Sequence, residues 1–329
     1  LCASDPDLLA ALRAAEGPLS GARIGDQLGV SRAAVWKRIE RLRGAGFEIE
    51  SLPGRGYRLL READAPTASR MAELLREAGP FLPQRYYYFP TIDSTNAEAA
   101  RLARAGAPAG TLCCADAQSA GRGRLDRRWI SPPGRHLYFS AVLRPAISPR
   151  YAAQLTLMAG LAIGEALNDL GVTGLAIKWP NDILLDGRKV AGILTEMAAQ
   201  PERVDHVIVG VGVNVHGGAA DFPAGLNVPP ATLDEHTGRR WDRAELLAAI
   251  VRAIARWDQR YADGGFAAIR EPWLARSQIC GKRVAIHLES GSFTGCATDL
   301  DADGFLLVIA DGEQVARRVL AGDVNLLSE

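Results

Sequence analysis

With 329 residues, 48% of them hydrophobic and 23% charged, the chain can bury a substantial core and has the length of two or three domains. Its 38 Lys and Arg balance 38 Asp and Glu, which excludes a global field drawing the whole molecule to nucleic acid or an anionic membrane and makes any basic site a local one. No apolar stretch is long enough to cross a bilayer without Gly or charge, and no basic-apolar-small pattern marks a secretory signal, so the cytoplasm is expected, with no membrane partner.

The first 64 residues read helix, helix, turn, helix, hairpin. Leu8, Leu9 and Leu12 start one helix; Ser20 caps a second that runs through Leu28; Gly29-Val30-Ser31 is the turn, and Ser31 caps the third. There Val35, Ile39 and Leu42 share one face, so Lys37 and Arg41 point outward. Beyond Gly44 and Gly46, two strand-like pieces, 47–52 and 56–60, are joined by Pro53-Gly54-Arg55, which completes a winged helix-turn-helix pattern. Between Ser20 and Arg61 stand nine Lys or Arg against four acids, a local excess of five positive charges. Ser31, Arg32, Lys37 and Arg41 on the third helix, with Arg55 at the wing tip, offer phosphate contacts and base-edge donors on one side, which predicts DNA binding. A solvated basic helix in a small packing domain is the plainer alternative.

Residues 62–83, with a short amphipathic helix from about Ser69 to Ala78 and Gly79-Pro80 after it, read as a connecting segment. From Arg85 to about Gln278, strand-like runs (86–89, 112–115, 137–143, 175–179, 204–215) alternate with helical ones (94–105, 151–170, 244–263), a mixed α/β domain. From Lys282 the chain is short strands with turn signals at Glu289-Ser290-Gly291, Asp301 to Gly304 and Asp311-Gly312, which suggests a small barrel. The expected domains are therefore 1–64, 65–278 and 279–329. Cys2, Cys113, Cys114, Cys280 and Cys296 show no ligand spacing and suit reduced thiols, with Cys113 and Cys114 as packing residues.

Two stretches carry chemistry. "GRGRLDRRW", 121–129, is no P-loop, and Asp126 breaks the dinucleotide pattern; "VIVGVGVNVHGG", 207–218, follows a strand but opens no helix. Gly121 and Gly123 free the backbone to approach a ligand, while Arg122 and Arg124 supply planar donors for carboxylate or phosphate, so the loop is expected to order around an anion. A solvated surface loop is the alternative. In "KWPNDILLDGRKVAGILTE", 178–196, Asp186-Gly187 is a hairpin signal. Counting back from that turn pairs Leu185 with Arg188, Leu184 with Lys189 and Asp182 with Ala191, leaving Lys189 and Asp182 roughly 7 to 8 Å apart with room for an anionic oxygen or a metal between them. A surface charge pair is the alternative.

The set "DSTN" (93–96), "QSAGRGR" (118–124), "KWPNDI" (178–183), "RKVAGILTE" (188–196) and "GVGVNV" (210–215), behind a winged helix, resembles the bifunctional biotin protein ligase and biotin operon repressor family across essentially the whole chain. The resemblance implies a winged helix-turn-helix, a mixed α/β biotin/lipoate ligase-like catalytic domain and a small SH3-like β-barrel. It implies an adenylating biotin-[acetyl-CoA-carboxylase] ligase that uses ATP and Mg²⁺, forms biotinyl-5′-AMP and passes biotin to a lysine of a biotin carboxyl carrier protein. The adenylate would also serve as corepressor for a homodimer on operator DNA. Biotin would meet Ser94, Thr95, Asn96, Gln118, Lys189 and the loop Gly121, Arg122, Gly123, Arg124; the nucleotide would meet Trp129, Lys178, Asn181, Asp182 and Asn214. Lys189, Arg124 and Arg122 would be catalytic, and Asp182 the magnesium neighbour. A biotin-sensing repressor with little ligase activity and a lipoate-type acyl ligase are the alternatives.

Three departures stand out. Asp126 occupies the place of a loop glycine in many relatives, where Asp tolerates a left-handed backbone at some cost. The end, Gly322-Asp323-Val324-Asn325-Leu326-Leu327, lacks the arginine of the family pattern, for which Arg317 or Arg318 is the candidate substitute. "GGAADFPAGLNVPP", 217–230, carries no tryptophan to cover the adenine.

Overall fold

Each of the first three helices is bounded as its capping residues dictate. Asp5 accepts from Leu8 N at 3.3 Å to start α1 (Pro6–Ala14), Ser20 Oγ accepts from Arg23 N at 3.2 Å to start α2 (Gly21–Leu28), and Ser31 Oγ accepts from Ala34 N at 3.2 Å ahead of α3 (Arg32–Gly44). Val35, Ile39 and Leu42 are fully buried with Leu8, Ile24 and Ile49 in one small core. The hairpin β1 (Glu48–Leu52) and β2 (Gly56–Arg61) is antiparallel and closes through Arg55 N to Leu52 O. The computed structural model describes residues 5–44, 47–61, 63–76 and 85–327. The chain forms two units, Leu1–Ala65 and Pro66–Glu329.

The second unit opens with α4 (Ala68–Leu74), which corrects the reading of a connecting segment. Met71 is buried in the main core, Arg70 pairs with Asp242, and Arg252 donates to Leu74 O at 2.5 Å. The short helix is thus a packed element; Ala78, Gly79 and Pro80 lie outside the described residues. A seven-stranded sheet follows, built from β3 (Arg85–Phe89), β4 (Thr111–Ala115), β5 (Leu137–Leu143), β6 (Leu175–Lys178), β7 (Asp182–Leu185), β8 (Arg188–Ala199) and β9 (Val204–Val213). Its order is β3-β4-β5-β9-β8-β7-β6, with β3 and β4 parallel and every other pair antiparallel.

Alternation along the strands sends residues to two different faces. Val207, Val209 and Val211 of β9 and Ile193 of β8 enter the main core with α6 (Ala152–Asp169) and α8 (Arg243–Gly264). The apolar character of α6 on nearly all sides suits a helix buried all round. On the opposite face Cys113, Val142 and Ile208 meet Ala99 and Ala103 of α5 (Thr95–Arg104). Cys113 and Cys114 therefore pack on opposite faces, and burial pushes each thiol up to about 12. α5 covers only one end of that face. Further along the same rows come Gly210, Gly212, Leu194 and Gly192, which form the floor of a cavity.

Two shorter helices, α7 (Leu233–Thr237) and α9 (Ala267–Leu274), complete the helical layer. The remaining strands, β10 (Arg283–Leu288), β11 (Gly291–Leu300), β12 (Leu306–Ala310), β13 (Ala316–Val319) and β14 (Asp323–Leu326), form an antiparallel sheet of order β13-β12-β11-β10-β14. Val284, Ile286, Leu306 and Val308 of this sheet share one continuous core with α6 and α8.

Candidate active site

The cavity on the open face has a volume of about 410 Å³ and two chemically distinct ends. At one end the groups are neutral. Ser94 caps α5, which presents Thr95 and Asn96 to the sheet, all three buried. Gln118 Oε1 accepts from Thr95 N at 2.8 Å, Gln118 Nε2 donates to Ser131 Oγ at 3.0 Å, and Ser140 Oγ donates to Asn96 Oδ1 at 2.6 Å. Asn96 Nδ2 in turn donates to Leu194 O at 3.2 Å and Glu196 Oε2 at 2.6 Å. Side chains that satisfy one another this fully are held in one orientation. The seat exists because residue 210 has no side chain: a Cβ there would run into Asn96 Oδ1.

The other end is cationic. Lys189 Nζ lies 2.6 Å from Asp182 Oδ1 and 5.3 Å from the centre of the Trp129 ring. Trp129 lies over glycines, since a Cβ at 192 would stand 2.9 Å from its Cζ3 and one at 212 would overlap the indole. Arg124 donates to Asn181 Oδ1 at 3.3 Å, and Asn181 is pinned by donating to Ile193 O at 2.8 Å. Burial lowers the proton affinity of Lys178 and of Arg124; for Lys178 the neighbouring Lys189 adds to this, while Asp182 opposes it in both cases. A half-buried cluster of like charges wants an anion. Arg127 pairs with Asp323 of β14, and that contact pulls the Asp323 carboxyl below its ordinary range.

Hairpin geometry differs from the sequence expectation. The turn is as read, with Asp186 and Gly187 at φ of 46° and 79°, and Leu185 pairs with Arg188 and Leu184 with Lys189. A bulge at Val190 then shifts the register, so Ala191 pairs with Ile183 and Asp182 with Gly192. The shift brings Lys189 and Asp182 into direct contact in place of the wider separation expected. Val190 O is instead taken by Asn214 N at 2.8 Å, and Asn214 Nδ2 donates to Lys189 O at 3.1 Å.

Every residue singled out for biotin or nucleotide lines the cavity except Gly121. Gly121 sits at the loop base, where its carbonyl accepts from Trp129 N at 2.9 Å. Leu125 and Asp126 both adopt left-handed backbones, at φ of 55° and 54°. Arg122 is exposed and pairs with Glu196 at 2.9 Å. Neither Arg317 nor Arg318 reaches the cavity: Arg317 pairs with Glu313, and Arg318 with Asp301 and Asp303. Sequence reasoning missed Glu196, Ser140, Arg127 and Phe222. Phe222 lines the cavity and stacks on His136 at 5.4 Å; its only signal was an apolar residue in a Gly-rich loop. In the first unit Ser31, Arg32, Lys37, Arg41 and Arg55 are all exposed, and Trp36 beside them is 54% exposed.

Comparison with known proteins agrees with this chemistry. Residues 88–214 match the biotin/lipoate A/B protein ligase family, residues 279–327 the biotin protein ligase C terminal domain, and residues 7–58 an HTH domain. The bifunctional ligase/repressor BirA of Bacillus subtilis is 36% identical over 308 residues, 94% of each chain. This chain belongs to the biotin protein ligase family. The Escherichia coli bifunctional ligase/repressor BirA is 32% identical over 310 residues, covering 94% of this chain and 93% of its own. Among solved structures, the biotin protein ligase from Aquifex aeolicus in complex with biotin and ATP is 30% identical with a TM-score of 0.63, covering 75% of this chain and all of that one. The ligase fold, the helix-turn-helix ahead of it and the C-terminal antiparallel sheet are those expected from the sequence. Among the described residues no helix is long and apolar enough to cross a membrane.

Proposed function

We propose that this chain is an ATP-dependent biotin protein ligase that forms biotinyl-5′-AMP, passes biotin to a lysine of a biotin carboxyl carrier protein, and represses transcription from operator DNA as a ligand-promoted homodimer. The observation that carries the ligase is the two-ended cavity. Its neutral end, around Thr95, Asn96 and Gln118, suits a ring with hydrogen-bonding N–H and C=O groups, and its cationic end, around Arg124, Lys178 and Lys189, suits a carboxylate and a phosphate. Biotin and ATP would meet there.

In the first step a biotin carboxylate oxygen attacks the α-phosphorus of ATP and pyrophosphate leaves. The nucleophile is already ionised, so no general base is needed. What the protein must supply is positive charge for two anions that approach one another, and Lys189, Arg124 and Arg122 supply it. Magnesium fits the same end. Asp323 is held by Arg127, but among the described residues Asp182 Oδ1 is buried with no hydrogen-bond partner and only the Lys189 ammonium at ion-pair distance, and Mg²⁺ is commonly held by one carboxylate plus substrate phosphates. Bound there, the ion would neutralise phosphate charge. In the second step the carrier lysine attacks the acyl carbon of the mixed anhydride and AMP leaves. Between the steps the loop 121–129, folded over the adenylate, excludes water from an anhydride bond prone to hydrolysis.

Incubation with ATP, Mg²⁺, carrier domain and either biotin or lipoate tests the assignment. Biotin is expected to be transferred and lipoate not. Arg124→Gly and Lys189→Ala are each expected to lower adenylate formation or retention about 10²- to 10³-fold. Pyrophosphate release and adenylate retention unchanged in both variants would contradict the assignment.

A further inference from the structure

Glu196 closes the motif that begins at Arg188, and the proposed reaction gives it no task. Yet a single oxygen of this side chain, Oε2, touches two groups of the site at once: Asn96 Nδ2 at 2.6 Å and an Arg122 guanidinium nitrogen at 2.9 Å. One partner stands on α5 and the other on the arginine loop. We propose that Glu196 is a positioning residue of the ligase, which orients the Asn96 amide for the ring of the acid and tethers the closed loop through Arg122.

The orientation argument follows from donor and acceptor counts. An ionised carboxylate only accepts, so Asn96 must turn its NH₂ toward Glu196. Its second N–H goes to Leu194 O, and Ser140 Oγ donates to its Oδ1. Both donors are then used, and what remains is one lone pair on Oδ1. Asn96 therefore meets a ligand as an acceptor, selecting a ring N–H over a ring carbonyl.

The tether follows from exposure. Arg122 and Glu196 are 48% and 36% exposed at the side chain, and such a pair is weak enough to open for each substrate and product. Because Asn96 shares the same carboxylate oxygen, the loop is tied to the group that reads the ring.

This inference rests on the biotin ligase reading, and two substitutions in the full-length protein separate the roles. Glu196→Gln keeps an oxygen that can accept from Asn96 but removes the charge that holds Arg122. Glu196→Ala removes both. Glu196→Ala is expected to raise the biotin KM about tenfold with a smaller change in kcat, and to lose discrimination against a biotin analogue methylated on a ureido nitrogen. Glu196→Gln is expected to restore the KM and the discrimination while releasing the adenylate about threefold faster than wild type. Wild-type KM and discrimination in Glu196→Ala, or equal defects in both variants, would overturn the orientation role; wild-type adenylate release in Glu196→Gln would overturn the tether. Wild-type protein that forms no adenylate from biotin and ATP would instead overturn the ligase reading, and this inference with it.

Discussion

An alanine at position 210 has no room. Its Cβ would enter the space that Asn96 Oδ1 occupies against β9, so either the strand moves or Asn96 leaves Ser140 and Glu196. Forcing an extra carbon into a packed site costs about 1–3 kcal/mol. Gly210→Ala is therefore expected to weaken biotin binding by tenfold or more, read by calorimetric titration, while the protein stays folded; wild-type affinity would remove Asn96 from the binding site. Legibility at this scale was uneven. The run Gly-Val-Gly-Val-Asn-Val announced a strand and argued against a dinucleotide loop, because no helix follows. That its glycines form a floor for Asn96 and Trp129 was hidden, since the side chains that fill the space come from elements far along the chain. Glu196 was hidden for the same reason, as one carboxylate gains meaning only from its two partners.

Elements were legible where local rules act alone. The caps at Ser20 and Ser31 and the Asp186-Gly187 turn fell where turn and cap chemistry put them. The hairpin departs beyond Lys189 because Lys189 N donates to Pro229 O at 2.7 Å and Ala231 N donates to Lys189 O at 2.8 Å, so a distant segment pairs with the strand and displaces Val190. The helix at α4 was legible but its packing was not, for a related reason: seven residues with one buried methionine show no partner until Asp242 and Arg252 are brought to them. Another long-range tie joins the start of β5 to the stretch after β9, where Val215 N donates to His136 Nδ1 at 3.2 Å. Burial, with help from the charges of His216 and Arg135, pushes the His136 imidazole down to about 4. A depressed imidazole stabilises the fold fully above its unfolded value near 6.5, and the contribution drains as pH falls toward 4, on the order of 3 kcal/mol in all. Denaturant unfolding from pH 7 to pH 4.5 should show wild type losing more stability than His136→Asn. Parallel losses would mean that the imidazole is not held neutral.

For the whole molecule, composition hid an uneven charge. Equal numbers of acids and bases conceal an excess of five positive charges between Ser20 and Arg61, and that segment holds the exposed Arg32, Lys37 and Arg41 of α3. Dependence between the two units is a matter of linkage rather than of pattern. If the adenylate strengthens binding to a palindromic operator by some factor, the operator must strengthen adenylate binding by the same factor. Gel shifts with and without biotin and ATP, set beside adenylate affinity with and without DNA, should give matching ratios above one. Equal operator affinity in both conditions would count against corepression.

The placement of the tryptophans would make any such coupling visible by light alone. Trp179, Trp241, Trp257 and Trp273 are each at most 6% exposed, and Trp129 is half-buried over its glycines, whereas Trp36 stands in solvent on α3. A small collisional quencher added to the native protein thus samples Trp36 most readily, and any event that shields that helix registers as a loss of quenching without a label.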